Sequence, residues 1–142
     1  MGPKPRTRAI VTWTLSVLLA LLFLVSGTGK LLNLEATGGL RFDEQFEAWG
    51  YPAWVRLPVG LAEVVGALLL LVPLARPYSA AGLTGVMAGA VATHLRVDEA
   101  AAAPIPLLLG VLTGALAWLT RPAWLRERIA ARRARRARTQ VA

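Results

Sequence analysis

The sequence predicts an all-α integral membrane protein, a four-helix bundle with both ends cytoplasmic (N-in, C-in) and a short interfacial amphipathic helix between spans one and two. Three observations carry this expectation. Of 142 residues, 56% are hydrophobic, which fits one domain if most of that surface faces lipid or neighbouring helices. The apolar residues gather into four runs, each near the roughly 20 residues that a helix needs to cross a bilayer core of about 30 Å. Basic residues flank those runs on one side far more than on the other.

Span one follows from the run Ile10 to Val25, extended through Gly27 and Gly29, and is placed at about 10–32. A second run, Leu57 to Leu74, is interrupted by the single charge Glu63 and places span two at about 55–74. Spans three and four are placed at about 78–95 and 104–120, the last being the shortest. Pro58, Pro104 and Pro106 lie in or beside first turns, where a missing N–H costs little, while Pro73 and Pro77 bracket Arg76 in a tight connection. The whole chain, 1–142, reads as one membrane domain with a basic cytoplasmic tail over 121–142.

Direction comes from the flanks, because Lys and Arg resist translocation. Lys4, Arg6 and Arg8 precede span one, Arg76 separates spans two and three, and eight basic residues lie between Arg121 and Arg138, so twelve of the sixteen fall on one side. On the other side Lys30, Arg41, Arg56 and Arg96 are outnumbered by Glu35, Asp43, Glu44, Glu47, Asp98 and Glu99. Both termini are therefore expected in the cytoplasm and the protein in the cell membrane as a multi-pass chain. The competing reading of the start is a cleaved signal peptide, with Ser26 and Gly27 as its small residues. Its apolar run is long for that, and cleavage would leave three spans with the first two connections on swapped sides.

Between spans one and two, Phe42, Phe46 and Trp49 recur at i, i+4 and i+7 among Arg41, Asp43, Glu44 and Glu47, with Gly50 as the C-terminal cap. The pattern is an amphipathic helix on the outer interface, with Tyr51 and Trp54 adding rings at headgroup depth. Interfacial anchoring is the simpler reading of this helix; a lid over a site between the spans is the functional one. The tail, with Trp124, Leu125 and Ile129 among arginines, reads as a cytoplasmic amphipathic helix whose partner is anionic lipid. Nucleic acid is not an expected partner, since topology already accounts for the charge.

Having no cysteine, the chain forms no disulfide, iron–sulfur site or thiolate nucleophile, and redox chemistry would need a bound cofactor or substrate. One His and no Cys cannot make a three-ligand zinc site without added carboxylates. Phosphate-loop, nucleophile-elbow and dinucleotide fingerprints are missing as well.

Three charged or titratable residues lie where lipid solubility does not explain them. Lys30 closes span one, Glu63 sits about 9 Å below the entry of span two at 1.5 Å per residue, and His94 lies near the end of span three. All three come to similar depth in the outer half of the membrane, where each needs a partner, a water-filled cavity or a function. For Glu63 a structural pair with Lys30 and a proton- or ligand-binding carboxylate stand side by side. Lys30 can snorkel. His94 has no obvious charge-pairing duty, and its ring can serve one hydrogen bond or exchange protons. Small residues at close-packing spacing, Ala81, Gly85 and Gly89 in span three and Gly110 and Gly114 in span four, are read as packing positions, compatible with a homo-oligomer.

The segments Phe23-Leu24-Val25-Ser26-Gly27-Thr28-Gly29-Lys30, Gly50-Tyr51-Pro52, Gly60-Leu61-Ala62-Glu63 and Met87-Ala88-Gly89-Ala90 running to His94 resemble, in order and spacing, the DoxX and DoxX-like membrane proteins. The resemblance covers about Val11 to Leu119. Its recurring Gly-x-x-Lys, Gly-x-x-Glu and terminal His of span three fall on Gly27 and Lys30, Gly60 and Glu63, and His94. It implies a four-helix membrane bundle and a small subunit or accessory of a quinone-linked membrane redox system rather than an independent enzyme. Relatives include a small subunit of an archaeal terminal quinol oxidase and thiosulfate:quinone oxidoreductase. A quinone between the helices and a membrane redox partner protein are the implied ligand and partner. A non-enzymatic scaffold locked by a Lys–Glu clasp is the alternative.

Overall fold

The computed structural model describes residues 5–36, 38–125 and 127–131. Most of the Arg-rich tail expected to meet anionic lipid, including Arg126, Arg132, Arg133, Arg135, Arg136 and Arg138, lies outside the described residues. The helices are α1 (Pro5–Leu31), α2 (Phe42–Ala48), α3 (Arg56–Leu70), α4 (Arg76–Arg96) and α5 (Pro104–Thr120), with a 3₁₀ turn at Ala53–Val55 leading into α3. Among the described residues there is no strand, only an isolated bridge between Glu35 and Arg41.

Four of these helices pack in a ring, α1 against α3 and α5, and α4 against α3 and α5. Neighbours run antiparallel. Gly66 and Ser79 join α3 to α4, Thr84 and Thr113 join α4 to α5, and Arg8 reaches the carbonyl of Leu119 from α1 to α5. The start of α1 and the end of α5 therefore share one end of the bundle.

Each helix turns one stripe inward. The buried stripe on α1 is Thr12, Ser16, Leu19, Ala20, Phe23 and Gly27, with Gly29 buried beside it under Phe42, and the stripe on α3 is Gly60, Glu63, Gly66, Ala67 and Leu70; steps of three and four residues keep each stripe on one helical face. Leu19, Phe23, Leu70, Leu83, Met87 and Leu116 form the core. Opposite faces carry Val11, Leu18, Leu22, Val25, Leu61, Leu68, Leu107, Leu108 and Val111, all substantially exposed, an apolar outer surface suited to lipid. Hydroxyls bind the helices to each other. Ser79 donates to the Gly66 carbonyl at 2.6 Å and Thr84 to Thr113 at 2.9 Å, contacts that satisfy polar groups where no water competes.

By length and composition, α1 and the Ala53–Leu70 unit can each cross a membrane, and a third crossing is counted if α5 and Ala123–Ala131, bent by 90°, are taken as one. The limits on the others have local causes. Helix α4 has 21 residues but holds Ser79, Gly82, Thr84, Gly85, Gly89, Thr93 and His94, and α5 has only 17 residues. Helix α3 stops at Leu70 rather than at the expected Leu74, because Pro73 disfavours helical geometry at the residue before it. The chain turns through Leu71–Ala75 and leaves Leu74 87% exposed. Pro58, Pro104 and Pro106 sit in first turns as expected.

Candidate functional site

The α1–α3 contact is built on two glycines. A methyl group on Gly27 would lie 2.7 Å from the Gly60 carbonyl oxygen, and one on Gly60 would lie 2.8 Å from the Gly27 carbonyl oxygen, so only hydrogen at both positions permits this approach. Lys30 and Glu63 each follow their glycine by three residues on antiparallel helices, which separates their Cα atoms along the axis. Side chains on a helix lean toward its N-terminus, so Lys30 reaches back along α1 while Glu63 reaches back along α3, and they meet. Lys30 Nζ lies 2.8 Å from Glu63 Oε2 and donates to Ser26 Oγ at 2.7 Å. The Glu63 side chain is 2% exposed and that of Lys30 12%. An ammonium has three donors, and these two contacts leave one.

Beside this pair is a cavity of about 440 Å³, walled by α1, α3, α4 and the start of α5, mainly with apolar side chains. Lys30, Glu63 and His94 all line it. So do Gly85 and Gly89, where an added methyl would touch nothing within 4 Å. These two glycines, read as helix-packing positions, instead widen the cavity. Gly110 is the tight one, its added methyl 3.2 Å from Met87 Cβ, and Gly114 makes ordinary contact with Thr84 at 3.8 Å.

The amphipathic segment covers the cavity. Asp43 and Glu44 begin α2, and the Arg41 N–H donates to Glu44 Oε2 at 2.9 Å. Gly50 at φ 80° ends it in a Schellman turn, with Gly50 N–H to Glu47 and Tyr51 N–H to Phe46. Phe42, Phe46, Trp49 and Tyr51 all face the cavity, and Phe46 is buried. Of the two readings left by the sequence, the apolar face thus lies on the bundle. Gly29 makes room for this, because a methyl there would come within 3.0 Å of the Phe42 ring.

His94 is not without a charged partner, contrary to expectation. Asp98 takes a left-handed φ of 57° after α4, which brings the Glu99 N–H onto the His94 carbonyl at 2.9 Å and its carboxylate 3.1 Å from His94 Nδ1. The same Glu99 Oε2 accepts from Trp49 Nε1 at 3.0 Å, and the Trp49 ring meets the imidazole edge-on at 5.1 Å. Tyr51 OH and Thr93 Oγ1 are 3.1 Å apart, while Arg96 donates to the Trp49 carbonyl at 2.6 Å and stacks on Tyr51. The end of α4 thus latches the segment from Trp49 to Tyr51. Two polar clusters share the cavity, Lys30–Glu63–Ser26 in its wall and His94–Glu99–Trp49 at its rim.

Sequence reasoning passed over Ser26, Trp49, Tyr51, Thr93 and Glu99 as site residues. Ser26 was findable, lying four residues before Lys30 and hence beneath its side chain. Glu99 was not, since only the left-handed turn at Asp98 returns it to His94. Among the described residues no His, Asp or Glu cluster could hold a metal. The DoxX-like family model matches residues 14–131 of the chain, a stretch that contains all of these side chains. No curated protein and no solved structure matches it.

Proposed function

The chain belongs to the DoxX-like family, and from that premise we propose that this membrane protein binds a small amphiphile of quinone type between its helices, as an accessory or small subunit of a membrane redox system. The observation that carries the reading is the covered cavity of about 440 Å³, within the range of small-molecule sites and, like them, apolar with a few convergent polar groups. A ring carbonyl fits the chemistry present. Lys30 keeps one donor, and an Nδ1–H given by His94 to Glu99 would leave its Nε2 for a ligand or a proton. Helix α2 then serves as a lid whose latch must open for entry. In this reading all four long helices span the cell membrane, with both termini cytoplasmic.

Addition of a short-chain ubiquinone to the purified protein should raise its melting temperature saturably, because a ligand bound only by the folded state stabilises it. Lys30→Met and His94→Gln should each weaken that response. A flat titration, together with a lipid extract that holds no quinone, would sink the proposal. The scaffold reading keeps one observation in its favour, the Lys30 ammonium already paired with Glu63 and Ser26, and it is the outcome that the flat titration selects.

A further inference from the structure

A second cavity, of about 460 Å³, opens at the other end of the bundle, between the start of α1, the start of α4 and the end of α5. Arg8 and Arg76 line it with Thr12, Trp13 and Thr120, and among the described residues no carboxylate does. Arg76 is 4% exposed, although its place in a short connection predicts a solvated flank charge. Its Nε donates to the Leu70 carbonyl at 2.8 Å and its guanidinium lies 4.1 Å from the Trp13 ring centroid. Among the described residues its Nη2 is buried without a partner. A buried cation with an unused donor is costly, and an anion removes that cost.

We infer that this cavity is a binding site for a phosphate-class oxyanion, supplied by the headgroup of an anionic lipid. Two guanidinium groups present planar forks of N–H donors that match phosphate oxygens. Arg8, exposed and spending one nitrogen on the Leu119 carbonyl, forms the outer jaw, and Arg76 the inner one. Lipid is favoured over a soluble ion by what surrounds the site. Trp13, Tyr78, Trp118 and Trp124 are all exposed at this end, and such rings settle at headgroup depth. The site is distinct from the expected attraction of the Arg-rich tail, which needs no cavity.

The test titrates the full-length protein in mild detergent with phosphatidylglycerol, with phosphatidylcholine and with inorganic phosphate while melting is followed. Phosphatidylglycerol should raise the melting temperature by several degrees and saturate, and phosphatidylcholine should not. Arg8→Gln and Arg76→Gln should each need roughly tenfold more lipid, as expected for one lost charge-assisted hydrogen bond. A variant with Arg132, Arg133, Arg135 and Arg136 all changed to Gln should respond as wild type. If Arg76→Gln does not fold, Arg8→Gln carries the comparison. Saturable stabilisation by inorganic phosphate that depends on Arg8 supports the oxyanion site and makes its source soluble. Absence of any shift, or a shift lost only in the tail variant, overturns the inference.

Discussion

Single side chains decide how closely α1 and α3 approach, and the charged pair depends on that approach. Gly27→Ala would put a methyl group within 2.7 Å of a backbone carbonyl, a clash that no rotamer can relieve. Overpacking of this kind costs about 1–3 kcal/mol, so Gly27→Ala and Gly60→Ala should both lower the melting temperature. Gly85→Ala and Gly89→Ala, which meet open space, should leave it nearly unchanged; equal losses at all four positions would refute the division. The pair itself gives a second contrast. Removing one member of a buried ion pair commonly costs about 3–5 kcal/mol, lessened here by the part of Lys30 that reaches solvent. Lys30→Met strands the Glu63 carboxylate, whereas Glu63→Gln keeps a hydrogen-bonding group for Lys30. Thermal melts should therefore rank Lys30→Met as the more damaged, and wild-type stability in both variants would remove the clasp.

Helix α2 has seven residues, too few to persist alone, and its ends are held by contacts from elsewhere. At the start, Asn33 and Asp43 exchange two hydrogen bonds: Asn33 Nδ2 donates to Asp43 Oδ2 at 2.6 Å, and Asp43 N–H donates to Asn33 Oδ1 at 2.9 Å. The Asn33 bond holds the Asp43 carboxyl below its ordinary value of 3.8, burial opposes this, and the Glu44 N–H with Arg41 and Arg56 assists. Folding thus favours the ionised form. The stabilisation is fully present above the unfolded value and disappears as pH falls through the lower folded one, so the start of α2 should loosen only below about pH 4. Hydrogen exchange over residues 33–48, corrected for its intrinsic pH dependence, should quicken in that window. Asp43→Asn should abolish the pH response of this segment, and an unchanged acid response in the variant would assign it to another group.

At the scale of the whole molecule, the helices and the similar depth of Lys30, Glu63 and His94 were legible because both follow from periodicity and distance along a helix; that the three line one cavity was not. Apart from the Lys30–Glu63 pair, contacts between elements were not legible. Whether a glycine closes a helix interface or opens a cavity depends on which face it turns inward, and Gly27 with Gly60 took the role that spacing alone gave to Gly85 and Gly89. Nor does sequence distinguish an arginine that flanks a span from one buried like Arg76. The up-and-down ring places the start of α1, the turn at Leu71–Ala75 and the end of α5 together, and in the sequence twelve of sixteen basic residues lie at or before the start of α1, at the start of α4 or after α5. Positive residues resist export, so this end should face the cytoplasm. The chain has no native cysteine, so a single introduced thiol reports without background. Thr7→Cys, Tyr78→Cys and Thr139→Cys should resist an impermeant maleimide in intact cells and react after lysis, while Ala48→Cys and Ala100→Cys should react from outside. Because Tyr78 and Ala100 bracket most of α4, that pair tests whether the least apolar long helix crosses. Labelling of both from the same side would leave α4 within one leaflet, and outside labelling at position 139 would reject an even number of spans between two cytoplasmic ends.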